Sequence, residues 1–210
     1  MTEHKTLNTV IHAAMRRDLA RFDTALGGAA PSRARAYQLG AAWDNFSAQL
    51  HQHHEDEETI YWPAFQRLGF DPVIAEELDS EHQRMIEALH EANARMSDFR
   101  RDPSDTSAVA ARRAVATLGT VLTRHLDHEE HDLEPWAADQ ADTPELKACA
   151  KAVRKAHRGG AGTFFAWLGD GAGPDESAMM KRTVPPPVLW AITTFGGRDY
   201  QKRIAPTWAA

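Results

Sequence analysis

The chain has a single cysteine, Cys149, among 210 residues. One thiol cannot close an internal disulfide, so nothing here asks for an oxidising compartment. No apolar run approaches the ~18–20 residues of a membrane span. The first twenty residues carry His4, Lys5, Arg16, Arg17 and Asp18 among the apolar ones. That leaves no uninterrupted stretch of the kind a secretion signal needs, and the cytoplasm is the expected location. Basic residues are also in short supply: 24 Lys and Arg face 30 Asp and Glu, for a formal net charge of -6. No basic stripe is visible, which argues against nucleic acid as a partner. Convincing strand patterns are missing altogether.

What the chain has instead is histidine, 11 residues in all, clustered with acids at 51–58 and 125–132. The apolar residues around these clusters follow a helical period. His12, Met15, Leu19, Phe22 and Leu26 are spaced three, four, three, four, which is one face of a helix from about Thr6 to the Gly27-Gly28 stop. Pro31 and Ser32 open a second helix, about 32–68, with a stripe of Leu39, Trp43, Phe46 and Leu50. That stripe reaches His53 or His54, passes Glu57 or Glu58, and resumes at Tyr61 and Phe65; Pro63 should kink or end it. A third helix, about 72–99, carries Leu78, His82, Met85, Leu89 and Met96 on one face. A fourth, about 107–136, carries Val115, Leu118, Leu122, His125, Glu129 and Trp136. The alternation runs straight through His125 and Glu129, so the core-facing acid is Glu129 and not Glu130.

Four helices of about 20–37 residues with short connections predict an all-α fold, an antiparallel up-down-up-down four-helix bundle over residues 1–142. A fifth helix is expected from about 144 to 158. Beyond it, glycines at 159, 160, 162, 169, 171 and 173 break the pattern, and only a short helix near 188–192 is expected. Residues 143–210 therefore form a helical or irregular extension that packs on the bundle or on a subunit partner, with a monomer or homodimer as the assembly.

Residues four apart on a helix share a face, so His54 with Glu58, and His125 with Glu129, can each converge on one ion. His12 and His82 add nitrogens from two other helices. An ionised Glu at a core position costs several kcal/mol unless it is paired or bound to metal, and two of them repel. Four stripe histidines and two stripe glutamates resolve that conflict as a site for two metal ions, about 3.5–4 Å apart. Mixed imidazole and carboxylate donors suit Fe or Mn best; structural zinc prefers closed Cys/His sets. A lone histidine on an apolar face is more often a hydrogen-bonded core residue, and His90 and His157 are read that way. His4, His51, His53, His128 and His131 are assigned to the surface or to the groups that orient ligands.

The segments His12-Ala-Ala-Met-Arg-Arg-Asp-Leu, His53-His54-Glu55-Asp56-Glu57-Glu58 leading to Trp62-Pro63, Glu81-His82, and His125-Leu-Asp-His-Glu129-Glu130 leading to Pro135 resemble the hemerythrin-like, or HHE cation-binding, family over about residues 5–140. The resemblance implies a bundle holding two non-haem iron ions with an oxo, hydroxo or water bridge, which meets O2, peroxide or nitric oxide. It places the iron ligands at His12, His54, Glu58, His82, His125 and Glu129, and the choice of His54 over His53 leans on it. Oxygen-carrying hemerythrins have a further histidine one turn after the helix 3 histidine. Here Ile86 stands there, which implies one nitrogen fewer and a site more open than an oxygen carrier's. The functions to weigh are therefore a di-iron binding protein, an enzyme with catalase- or peroxidase-like activity, and an iron, oxygen or redox sensor that uses residues 143–210 as its readout. No membrane and no nucleic acid partner is expected.

Overall fold

The computed structural model of the protein describes residues 6–28 and 32–209. His4 and Pro31 lie outside the described residues. Among those described, all regular structure is helical and no strand occurs.

Helix α1 spans Leu7–Leu26 and starts from a capping box, in which the Thr6 and Thr9 side chains each take the other's backbone N–H. It buries His12, Met15, Leu19, Phe22 and Leu26, the stripe expected from spacing. Helix α2 spans Arg33–Asp56 behind the Ser32 cap and buries Leu39, Trp43, Phe46, Leu50, His53 and His54. Regular α geometry then stops. One π turn, Glu57–Tyr61, joins α2 to α3, Trp62–Leu68. Gly69 ends α3 in the left-handed region at φ 84°, where a side chain would be strained. Helix α4 spans Pro72–Arg101 and buries Leu78, His82, Met85, Leu89 and Met96. Helix α5, Asp105–His128, starts from the Ser104 cap, and a second π turn, Glu129–Leu133, links it to α6, Glu134–Asp139.

The two π turns have the same cause. Pro63 and Pro135 each lack an N–H, and a proline ring crowds the carbonyl four residues back. The turn widens by one residue, so the N–H groups of Trp62 and Glu134 reach back to the carbonyls of Glu57 and Glu129.

Helix α1 packs on α2 and α5, and α4 packs on the same two. Their inner faces form one core from Val10 to Leu126. A smaller core of Trp62, Phe65, Phe70, Leu78, Leu133 and Cys149 fills the end beside the π turns.

The C-terminal part is more helical than its glycine content suggested. It holds α7 (Pro144–Ala156), α8 (Ala161–Gly169), α9 (Pro174–Thr183), α10 (Pro186–Ala191), a π turn (Ile192–Gly196) and α11 (Arg198–Arg203). One glycine is there for close approach: a Cβ at Gly162 would stand 2.3 Å from the carbonyl carbon of Gly196. Trp167, fully buried, donates its indole N–H to Asp18 on α1 at 2.7 Å. Trp208 meets Phe22 edge to face, with ring centroids 5.1 Å apart. Phe165, Trp167, Met180, Tyr200 and Ile204 are part of the same core as α1, α2, α4 and α5.

Candidate metal centre

Where the inner stripes of α1, α2, α4 and α5 reach the π turns, apolar side chains give way to imidazoles and carboxylates. Two donor groups form there. His54, Glu57, His82 and His125 make one, and His12, His53, Glu57 and Glu129 make the other; within each group the donor atoms lie within 4.8 Å of one another. Glu57 belongs to both. His12, His82, His125 and Glu129 have no measurable exposure, and His53, the most exposed of the seven, is at 9%.

The polar atoms inside are left over by the protein. Nε2 of His12, His53 and His54, Oε2 of Glu57 and both carboxylate oxygens of Glu129 have no hydrogen-bond partner. Buried polar atoms are nearly always paired, and leaving them unpaired costs about 1–3 kcal/mol each. Here they converge, which is the arrangement a cation satisfies.

The outer edges of the rings are occupied. His54 Nδ1–H donates to the Leu50 carbonyl at 2.8 Å, and His12 Nδ1–H to Glu130 at 2.9 Å. Arg16 in turn holds Glu130 at 2.7 Å. Glu58 lies 3.3 Å from His82 Nδ1, and Glu81 lies 3.4 Å from His125 Nδ1 and 3.2 Å from His128 Nδ1. These contacts put the proton on Nδ1 of each ring and aim the Nε2 lone pair inward. The Nε2 atoms of His82 and His125 lie 3.1 Å apart, within hydrogen-bond distance, so one proton can bridge them when no cation stands there.

Electrostatics carry the same message. Burial disfavours the His12 imidazolium, but the carboxylates of Glu129 and Glu130 beside it outweigh that and push its pKa up to about 9. Burial, then the positive charge of His12, drives His53 down to about 3. Burial also holds His54 well below its ordinary range and lowers His125. Burial raises Glu57 well above the usual carboxylate range, and the charge of Glu129 adds to it. Glu129 is buried too, yet His12, whose Nε2 lies 3.4 Å away, and the charge of His125 bring it down to about 2. Without a cation the two glutamates cannot both ionise.

Of the six positions expected from sequence, His12, His54, His82, His125 and Glu129 fall in the two groups. Glu58 does not: its side chain is 40% exposed and touches the outer nitrogen of His82. Glu57 stands in its place, in both groups. His53, assigned from sequence to the surface or to an orienting role, is buried among the donors of the second group. The donors thus number five histidines and two glutamates, and the nitrogen that Ile86 does not supply on α4 is matched by His53 on α2. Ile86 packs against the hydrophobic core instead. A signal for Glu57 was present. His53, Glu57 and Pro63 repeat the spacing of His125, Glu129 and Pro135, four residues and then six, whereas His54 and Glu58 do not.

A helical fold with imidazole and carboxylate donors converging in its core defines a metal-binding protein. The model of the hemerythrin HHE cation binding domain matches residues 8–137, more than half of the chain, and all seven donors fall inside that span. The chain belongs to the hemerythrin HHE cation-binding family. No curated protein and no solved structure matched it.

Proposed function

We propose that this chain holds two iron ions and that the pair meets O2, peroxide or nitric oxide in the cytoplasm. The observation that carries the reading is Glu57, one buried carboxylate shared by two donor groups in which Nε2 of His12, His53 and His54, Oε2 of Glu57 and both oxygens of Glu129 have no hydrogen-bond partner. His54, His82 and His125 would hold one ion, His12, His53 and Glu129 the other, and Glu57 both. Three nitrogens on one side and two on the other, with hard carboxylates, suit iron better than structural zinc. When bound, the ions would supply Lewis acidity and redox chemistry. The protein's part is to fix ring orientation through Leu50, Glu58, Glu81 and Glu130 and to keep water out with the surrounding apolar core. The contacts of α1, α2, α4 and α5 support an antiparallel up-down-up-down arrangement of these four helices.

The open site that the resemblance implied beside Ile86 would favour peroxide consumption over O2 binding. His53 weakens that preference, because it restores a nitrogen donor. The alternative is a non-catalytic iron, oxygen or redox sensor. The contact it draws on is the one between residues 165–208 and α1, the helix that bears His12.

An optical spectrum of the purified protein, taken before and after reduction and then with O2, peroxide or nitric oxide added in turn, tests the proposal. Near-ultraviolet charge-transfer bands that change with one of these ligands support it. A colourless protein whose metal is zinc, or a spectrum indifferent to all three, contradicts it.

A further inference from the structure

The fold gathers an apolar and basic face far from the metal centre. Among the exposed large apolar residues are Val188, Trp190 and Phe195, three within eight positions, at 49%, 63% and 57% exposure. Trp190 and Phe195 touch edge to face, with centroids 5.8 Å apart. The Arg198 guanidinium lies over the Phe195 ring, 5.3 Å from its centroid. Tyr37, 63% exposed at the start of α2, stands beside Arg203 on α11. From Lys181 to Ala209 the chain has five basic residues against one acid, Asp199, although the whole chain has a net charge of -6. Lys181, Arg182, Arg198, Lys202 and Arg203 are all exposed. Residues Arg33 to Tyr37 begin α2 and the donors His53 and His54 end it, about 30 Å away at helical rise.

We infer that this face docks on an anionic lipid surface. A second copy of the same face would bring like charges together, which disfavours a two-fold dimer through it. Single-stranded nucleic acid fits the charge, but of the face's apolar residues only Trp190 and Tyr37 leave a ring open to a base: Arg198 covers Phe195, and Val188 and the three prolines at 185–187 offer nothing to stack on. A membrane interface uses all of it. Trp, Tyr and Phe settle at the headgroup level, aliphatic side chains enter the acyl boundary, and flanking Lys and Arg bind anionic headgroups. The sequence alone showed no spanning run and no continuous basic stripe. Neither rules out a peripheral contact assembled from α2, α9, α10 and α11. Among the described residues no helix is long and apolar enough to cross a membrane, so the contact is with the surface.

The test is sedimentation of the full chain with phosphatidylglycerol-containing vesicles and with pure phosphatidylcholine vesicles at low salt. We expect binding to the anionic vesicles only. Trp190→Ser combined with Phe195→Ser should abolish it. Lys202→Ser with Arg203→Ser should weaken it roughly thirtyfold. All four positions are exposed, and an unchanged circular dichroism spectrum and unchanged metal content in each variant establish that it has folded. Absence of binding to anionic vesicles overturns the inference, as does binding that survives the aromatic double variant. Two other results overturn it in favour of another occupant: a concentration-dependent dimer that the aromatic variant dissolves, or tighter binding to a single-stranded oligonucleotide than to vesicles.

Discussion

His53 and His54 are neighbours in the chain and their rings meet edge to face, 4.9 Å between centroids at 75°, yet they belong to different donor groups. Consecutive residues on a helix point about 100° apart, so both can be buried only where partners close in from both sides. His12 approaches His53 from α1, with centroids 5.3 Å apart. His82 approaches His54 from α4 at 4.6 Å.

With two ions bound as proposed, His53 would serve the second only. His53→Ala should reduce metal content to about one ion per chain and leave the His54, His82 and His125 group loaded. Elemental analysis of the purified variant decides it; retention of both ions would return His53 to an orienting role.

Glu57 and Glu58 separate the two possible registers. Glu57→Ala should lower metal content well below that of any single-histidine variant, because both groups lose a donor. Glu58→Gln removes only the outer partner of His82, so the metal should stay, with affinity lowered about 10- to 100-fold. Chelator competition measures both. The opposite ranking would restore the Glu58 assignment.

The metal-free protein should be acid-labile. The folded-state pKa of His53, about 3, lies below its ordinary value of 6.5. Between those values the unfolded chain binds the proton and the folded chain does not, so stability falls as pH drops from 6.5 towards 3. His54 and His125 are lowered as well and act with the same sign. Glu57, Glu134 and Asp18, all raised by burial, act oppositely above their ordinary values, and the expectation is that the three lowered imidazoles, His53 foremost, outweigh them. His12, raised to about 9, contributes stability below pH 6.5 that is lost as pH climbs through 9. Urea denaturation of the metal-free protein should therefore give a maximum near pH 6.5. A profile that is flat or rising from pH 6.5 down to 4.5 would end this account of the buried histidines.

Asp18 ties the C-terminal part to α1. It is 2% exposed, accepts the Trp167 indole N–H and pairs with Arg17 and Arg21. Asp18→Ala strands a buried donor, and about 3 kcal/mol of stability should go with it, with metal content unchanged. Thermal unfolding that matches wild type within experimental error would show that this contact contributes little.

The apolar stripes of the four long helices and the burial of His12, His82, His125 and Glu129 followed from spacing and hydrophobicity, whereas the stripe left His53 and His54 open and the choice of His54 rested on the resemblance. Spacing itself carried Glu57: Leu39, Trp43, Phe46, Leu50, His53 and Glu57 continue the alternation of three and four, and the π turn only begins at Glu57. Glu58 was expected because it stands four residues after His54. Counting six back from Pro63 and from Pro135 picks out Glu57 and Glu129 together. The C-terminal helices were hidden for another reason: Gly162 looked like a helix breaker but marks a crossing where its backbone meets that of Gly196.

The central claim is two iron ions in one buried pair of donor groups. Elemental analysis of the full chain, produced with iron supplied and joined to a protein concentration from amino-acid analysis, tests it most directly. The account predicts two irons per chain in the wild type and well under one in Glu57→Ala. A wild type holding a single ion, or holding zinc in preference to iron, would contradict it.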